Sequence, residues 1–281
     1  MSQLIQMRQR IRAIETIKKI THAMRLISMS SHARLKNKKE SFESYTKNLK
    51  QLLARIQKNT PQKTLLQKSD STQKSEKVLI CVISSQKGLC GTFNSMLLYY
   101  FKTYIKSFNQ SNISLFLVGK KIIDAISSEY KDQIIALEPT FTLRTVPTIL
   151  EKIDAQIPLF DRVIVINNVL KSFFIQEPRS TTIMPLEIGP SNEPTYSFGE
   201  YLWEIPAENI LDMLMTHYKQ ATIEQLLLQS LLAEHAARFI AMDNSTRNAQ
   251  NLLEEKKREY NKIRQANITK ELTELSGIFT L

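Results

Sequence analysis

Residues 1–60, MSQLIQMRQRIRAIETIKKITHAMRLISMSSHARLKNKKESFESYTKNLKQLLARIQKNT, contain no glycine and no proline. The same holds for residues 207–276. The whole chain of 281 residues has only 6 Gly and 9 Pro, and every one except Gly277 falls between Pro61 and Pro206. Ordinary chains carry about 7% Gly and about 5% Pro spread through many turns. Two breaker-free segments of this length, run as helices at 1.5 Å per residue, would reach roughly 90 Å and 105 Å. No single compact domain is that long, which argues against a simple globular enzyme. The map divides the chain into an N-terminal helix (1–58), a linker (59–76), a central domain (77–205) and a C-terminal helix (207–276).

Within the first segment, apolar residues fall at Leu4, Met7, Ile11, Ile14, Ile17, Ile20, Met24 and Ile27. Steps of three and four give a helical stripe narrow enough for a coiled-coil seam. One extra three-residue step near Ile17 predicts local overwinding. Leu49, Leu52, Leu53 and Ile56 resume the stripe, so one helix of about 55 residues is the simplest reading. In the last segment Leu211, Leu214, Met215, Tyr218, Leu227, Leu231 and Phe239 keep helical spacing, with alanines between them. Ile263, Ala266, Leu272 and Leu275 finish it. The middle joins the end of one helix to the start of the other, so the two pair antiparallel. Their stripes differ in length, so the tips need an outside partner.

The middle changes period. Val78–Ile83 (VLICVI), Ile113–Val118 and Arg162–Ile166 are short, β-branched, apolar runs, typical of strands buried on both faces. Helical stretches lie between them at 93–108, 120–130 and 146–157. Strands alternating with helices predict βαβ units and a mostly parallel sheet. Residues 173–205 hold Pro178, Pro185, Pro190 and Pro194 and read as edge strands and loops, with Phe173, Phe174, Ile183 and Leu186 as strand residues. The predicted fold class is α plus α/β: two long terminal helices forming an antiparallel coiled coil, and a central α/β domain.

Charge is as uneven as the breakers. Of a net +11, residues 1–60 carry 14 Lys/Arg against 3 Asp/Glu, which is the whole excess. Such a helix suits nucleic-acid phosphates or an acidic protein surface. Aromatics for base stacking are scarce there, with only Phe42 and Tyr45. Hydrophobic content of 42% excludes disorder throughout. No run of 18 apolar residues exists, so no membrane-spanning helix is expected. Two cysteines, Cys81 and Cys90, make no disulfide framework.

Chemistry-bearing motifs are few. Gln86-Lys87-Gly88-Leu89-Cys90-Gly91 follows a strand and precedes a helix, the context of a phosphate cradle. It lacks the Walker spacing, and Gly119-Lys120-Lys121 lacks the upstream glycine. A tight turn built on Gly88 and Gly91 is the plainer reading. Cys90 near a helix start could have a lowered thiol pKa, but no His/Asp motif accompanies it. The histidines, His22, His32, His217 and His235, are far apart and match no zinc pattern. From the residues alone three classes stay open: a rod-shaped interaction protein, a nucleic-acid binder and an enzyme using the Gly88 loop.

Four motifs in order resemble one family. Lys19-Ile20-Thr21-His22-Ala23-Met24 resembles the "K-I-T-x-A-M" segment near the start of the gamma subunit of F-type ATP synthases. Gly88-Leu89-Cys90-Gly91 followed by Asn94 resembles that family's "R-G-L-C-G-x-x-N" loop. Glu234-His235-Ala236-Ala237-Arg238, Ala241-Met242 and Asn248-Ala249 resemble its "E-x-x-A-R-x-x-A-M…N-A" stretch. Tyr260-Asn261-Lys262, Arg264-Gln265-Ala266, Ile268-Thr269 and Glu271-Leu272-Thr273-Glu274 resemble its C-terminal signature. The chain departs from the pattern at Gln86-Lys87, where the family has an acidic residue and Arg, at Thr92-Phe93, and near Gly277.

The resemblance implies a non-catalytic rotor shaft with no cofactor, no metal and no nucleic acid. One copy per complex would turn inside a hexamer of alpha and beta subunits, with the α/β domain against the epsilon subunit and the ring of c subunits. It would be a peripheral protein on the cytoplasmic side of a bacterial inner membrane. By carry-over, Met24, Arg238, Met242, Gln265, Thr269 and Glu271 would contact neighbouring subunits or transmit torque. Arg238 and Gln265 would make polar contacts with acidic loops, and Met24 and Met242 would supply soft apolar packing.

Overall fold

The structure, a computed structural model, describes residues 2–59, 76–108, 112–186 and 207–278. Most of the predicted linker, 60–75, lies outside the described residues. The elements in order are α1 (Ser2–Asn59), β1 (Val78–Ile83), α2 (Phe93–Ile105), β2 (Ile113–Val118), α3 (Lys120–Ile126), β3 (Ile134–Glu138), α4 (Val146–Gln156), β4 (Arg162–Ser172), β5 (Ile175–Met184) and α5 (Ala207–Ile278). Two compact units result: residues 31–237, and residues 1–30 with 238–281.

The larger unit is built on a five-stranded sheet of order β3-β2-β1-β4-β5. β1 pairs parallel with β2 and β4, β2 pairs parallel with β3, and β5 runs antiparallel to β4. All six residues of β1 are buried, because helices cover both faces. The period of two sorts them. Leu79, Cys81 and Ile83 share one core with Ile149 and Ile153 of α4 and with Ile223, Leu227 and Leu231 of α5. Val78, Ile80 and Val82 share the other with Leu97 and Phe101 of α2 and Ile122 and Ile126 of α3. The opening part of α5 therefore serves as one layer of the α/β sandwich. The C-terminal part of α1 packs on it through Leu49, Leu53 and Ile56 against Leu211, Leu214 and Ala221.

Two asparagines on β4 tie the sheet to its helices. Asn167 donates Nδ2–H to the Leu226 carbonyl of α5 at 3.1 Å, and Asn168 donates to the Phe93 carbonyl at 3.0 Å. Both are buried. Such bonds carry direction that apolar contact lacks, so Asn167 fixes where α5 crosses the sheet and Asn168 where α2 begins.

The sequence-based strand expectations need three corrections. β3 (IIALE) was not expected: it is short, lies at the edge and carries no turn signal beyond Pro139. β4 runs on six residues past Ile166, because its outer half pairs only with β5. Phe173 and Phe174 form the turn between β4 and β5, not a strand, and Leu186 lies beyond β5. Ile183 is a buried strand residue as expected.

The turn is held from α1. Phe173 meets His32 edge-on at 5.0 Å between ring centroids. His32 is buried, and burial, with the Lys36 charge adding to it, holds its pKa below the ordinary 6.5. The fold thus favours the neutral ring, and the unfolded chain takes up the proton first as pH falls. Stability is full above pH 6.5 and declines as pH drops through 6.5 toward the folded-state value. Urea titrations at pH 7.5 and pH 5.5 should show this decline, and it should be smaller in His32→Gln. Gly119 opens α3 at φ +94°, where an added Cβ would lie 2.4 Å from the Ser84 carbonyl oxygen. Gly119→Ala should lose at least about 1–3 kcal/mol from backbone strain alone, read as a lower urea midpoint.

Candidate functional site

In open α/β sheets ligands bind at the carboxyl ends of the strands, beside the point where strand order reverses. Here that point lies between β1 and β4, next to the Gly88 loop. The crevice is filled by the chain itself. The Lys121 N–H donates to the Ser85 carbonyl at 3.2 Å, and the Ile122 N–H donates to Ser84 Oγ at 3.1 Å. These are the amides that would have faced a phosphate at the start of α3. Ser85 N–H donates to Asn94 Oδ1 at 3.3 Å, and Asn94 Nδ2–H donates to Cys90 Sγ at 3.1 Å.

The loop is instead a docking element. Gly91 takes a left-handed φ of +58°, and Leu89 does so at +64° with its side chain exposed. Gly88 sits 3.4 Å, measured from a built Cβ, from Lys121 Cε. This geometry turns Cys90 and Phe93 inward onto Ala233 and Ala237 of α5. Cys90 is therefore buried packing. Cys81 lies in the sheet core, where burial pushes its thiol pKa up to about 12, far from a reactive thiolate. Among the described residues no group of three or more His, Cys, Asp or Glu could hold a metal.

The smaller unit, 1–30 with 238–281, contains the other residues singled out from the sequence. On α1 its partly or fully buried positions include Leu4, Met7, Ile11, Ile14, Lys18, Thr21, Arg25 and Ser28. On α5 the inward series is Arg238, Met242, Thr246, Ala249, Leu253, Lys256, Tyr260, Ile263 and Asn267. The α1 series alternates three and four throughout, and the α5 series does so from Thr246 onward, after two steps of four. The α1 seam therefore keeps its rhythm with no extra step. After Ile14 it passes to polar residues, and the isoleucines leave it. Ile17, Ile20 and Ile27 are 53%, 53% and 65% exposed. They precede Lys18, Thr21 and Ser28 by one residue, which turns them about 100° out of the seam. The sequence reading that placed these three in the seam is corrected: they form a second, outward stripe.

Cross-seam contacts are polar along this stretch. Arg25 Nη1 donates to Asp243 Oδ1 at 2.6 Å, and Arg247 Nη2 lies 2.9 Å from the other carboxylate oxygen. The Arg25 bond is the main reason the Asp243 carboxyl stays below its usual range. Lys18 Nζ bonds Gln250 Oε1, and Thr246 Oγ1 lies 2.9 Å from Thr21 Oγ1. Nearer the tip Lys257 pairs with Glu15 at 3.1 Å, and Arg8 donates to the Tyr260 hydroxyl at 3.0 Å.

The expected contact residues fall into two groups. Arg238 and Met242 are buried in the chain's own seam, and Met24 is half-buried on the flank that carries the exposed isoleucines. Gln265, Thr269 and Glu271 are exposed near the end of α5, with Thr269 Oγ1 donating to the Gln265 carbonyl at 3.0 Å. Exposed Leu252, Ile268 and Leu272 lie on the same helix. Arg25, Asp243 and Thr246 carry no sequence expectation, and Thr21 enters only within the Lys19–Met24 motif; for Thr21 and Arg25 the signal is spacing, since 18, 21, 25 and 28 continue the series 4, 7, 11 and 14.

A family model described as ATP synthase matches residues 3–279. The ATP synthase gamma chain of Methylobacterium sp. (strain 4-46) is 29% identical over 98% of this chain and 98% of its own length. That of Ehrlichia canis (strain Jake) is 28% identical over 96% and 95%. Among solved structures, a chain of the Euglena gracilis mitochondrial ATP synthase (OSCP/F1/c-ring) superposes with a TM-score of 0.64 over 99% of this chain and 94% of that chain at 16% identity. One from the Tetrahymena thermophila central stalk and c-ring gives 0.60 over 80% and 98% at 24% identity. At these identities the structures speak for the fold, and the sequence match along nearly the whole length establishes that the chain belongs to the ATP synthase gamma-chain family.

Proposed function

We infer that the chain is the central rotor shaft of an F-type ATP synthase, coupling ion flow to ATP synthesis, or the reverse, by turning inside a hexamer of alpha and beta subunits. It is a non-catalytic subunit. Its contribution is a coupling free energy: each angle of the shaft favours different conformations of the catalytic sites around it. The observation that carries this reading is the stripe of Ile17, Ile20 and Ile27, placed outside the helix seam over a breaker-free helix. The intramolecular fold gains nothing from it. An enclosing partner that covered it would gain on the order of 1 kcal/mol per half-exposed side chain.

The remaining partners follow from the same reading. One copy sits in each complex, its α/β domain against an epsilon subunit and a ring of membrane c subunits. No described helix is long and apolar enough to cross a membrane. In this reading the chain is a peripheral protein on the cytoplasmic side of a bacterial inner membrane, held there as part of the complex.

The site residues take different parts in this scheme. Gln265, Thr269 and Glu271 are exposed and meet the hexamer directly. Met24 joins the outward apolar stripe. Arg238 and Met242, being buried, act through the stiffness of the helix pair.

Replacing Gln265 with Ala should leave unfolding within about 0.5 kcal/mol of the parent and lower coupled ATP synthesis several-fold in the assembled complex. Replacing Arg238 with Ala should lower stability as well, by about 1–3 kcal/mol. Unchanged synthesis in both would count against these roles. Co-expression with alpha and beta chains and a pull-down of active ATPase tests the assembly itself; recovery of this chain alone would sink the rotor reading. Calorimetry of the full chain with magnesium ATP should show no heat from the Gly88 loop, because the neighbouring amides of Ser85, Lys121 and Ile122 are already bonded.

A further inference from the structure

Residues 3–30 of α1 contain many apolar side chains, yet only Thr21 and Ser28 are buried there. Both are hydroxyls. Leu4, Met7, Ile11 and Ile14 occupy seam positions but stay partly exposed. The α5 seam carries Met242, Ala249 and Leu253, which are buried, and beyond them the half-buried Tyr260 and Ile263. Flexible or small apolar groups of this kind tolerate many packings. Sliding one helix along the other would exchange one such contact for another, so apolar packing sets axial position weakly.

The polar groups do not share that indifference. Thr246 Oγ1 lies 2.9 Å across the seam from Thr21 Oγ1, and each hydroxyl also reaches a carbonyl of its own helix, Met242 at 2.7 Å and Lys18 at 3.1 Å. Arg25–Asp243 lies toward one end of this layer, and Lys18–Gln250 toward the other. Lys18 and Arg25 are seven residues apart on α1, as Asp243 and Gln250 are on α5. A slide of one heptad in one direction would set Lys18 against Lys257 and Thr21 against Leu253. In the other direction it would set Thr21 against Phe239. Either way the cross-seam hydroxyl bond and the Arg25–Asp243 pair are lost. A polar residue inside a coiled-coil seam specifies register at some cost in stability.

We propose that the Thr21–Thr246 hydroxyl layer, flanked by Arg25–Asp243 and Lys18–Gln250, is a register lock that fixes the axial position of α1 against α5. These are positioning residues. The lock is a property of the helix pair, and its use, keeping the two helices from slipping under torque, rests on the rotor reading.

The test uses the full chain with nitroxide labels on Ala13→Cys and Asn251→Cys, both at exposed positions. Cys81 and Cys90 are buried and stay unlabelled. Pulsed electron paramagnetic resonance should give one inter-label distance in the parent. The double variant Thr21→Val with Thr246→Val keeps side-chain shape and removes the layer. It should retain its helical signal and melting temperature, yet add a second distance population from helices shifted along their axes by about one heptad, roughly 10 Å. A single, unchanged distance would overturn the lock. Should the valine pair fail to fold, Arg25→Gln with Asp243→Asn carries the same measurement. The assembled complex separates the two levels of the argument. If the second distance appears and coupled synthesis falls several-fold while hydrolysis persists, lock and rotor use both stand. If it appears with synthesis unchanged, the lock stands and its use in torque falls.

Discussion

The alternation of three and four along α1 is the constraint on which the rest depends. In the smaller unit the positions turned inward include 4, 7, 11, 14, 18, 21, 25 and 28; in the larger unit the same spacing gives 32, 35, 39, 42, 46, 49, 53 and 56. A helix that keeps this spacing presents one face throughout to whatever it packs on. The residues on that face then decide what each stretch can do. Leu49, Leu53 and Ile56 make an ordinary apolar core with α5. His32 receives the β4–β5 turn. Lys18, Thr21 and Arg25 make directed contacts instead. Because geometry assigns the face, isoleucines one residue out of phase have no intramolecular burial available.

The α/β unit obeys a different rule and shows why a familiar layout need not carry chemistry. Its parallel strands and helices recreate the architecture in which nucleotides are bound, including a glycine loop after β1. Yet the amides of Ser85, Lys121 and Ile122 beside the loop are bonded to Asn94, Ser85 and Ser84. The left-handed Leu89 and Gly91 aim the loop's inward side chains at alanines of α5. Asn167 then bonds the α5 backbone from the sheet side. Everything that would open a ligand site in a related layout is spent on holding α5. The part of α5 within this unit is therefore layer and attachment at once.

Much of this was legible in the sequence. The Gly and Pro map drew the two long helices, and the bounds of β1 and β2 were read correctly, because continuous β-branched runs between turn residues leave little choice. β3 was missed because five residues at a sheet edge, exposed at Ile135 and Leu137, show neither a buried run nor a strong alternation. Phe173 and Phe174 read as strand because aromatics favour strands, while their setting, a two-residue connection braced by a histidine from α1, depends on contacts distant in sequence. The seam was misread for a more general reason. Apolar periodicity identifies the face a helix wants to bury, and it was assumed that one helix has one such face. Ile17, Ile20 and Ile27 belong to a second, which the chain itself leaves half exposed or more.

That division of labour between the two faces suits a shaft. Hydrogen bonds and ion pairs are directional and strongly dependent on distance. Placed inside, between Arg25 and Asp243 or between the two threonines, they hold one arrangement and resist others. Placed on the outer face, they would bind one angle of the surrounding hexamer and oppose departure from it. Apolar contact is non-directional and scales with area covered. An outward stripe of isoleucines can therefore be covered by successive partner surfaces at similar free energy, with no bond to break at each step. Exposed polar residues such as Gln265 and Thr269 then stand out against that background as places where a particular angle can be favoured. A chain that kept its isoleucines in the seam and its threonines outside would have nearly the same composition. It would reverse both properties: loose along its own axis and adhesive toward its surroundings.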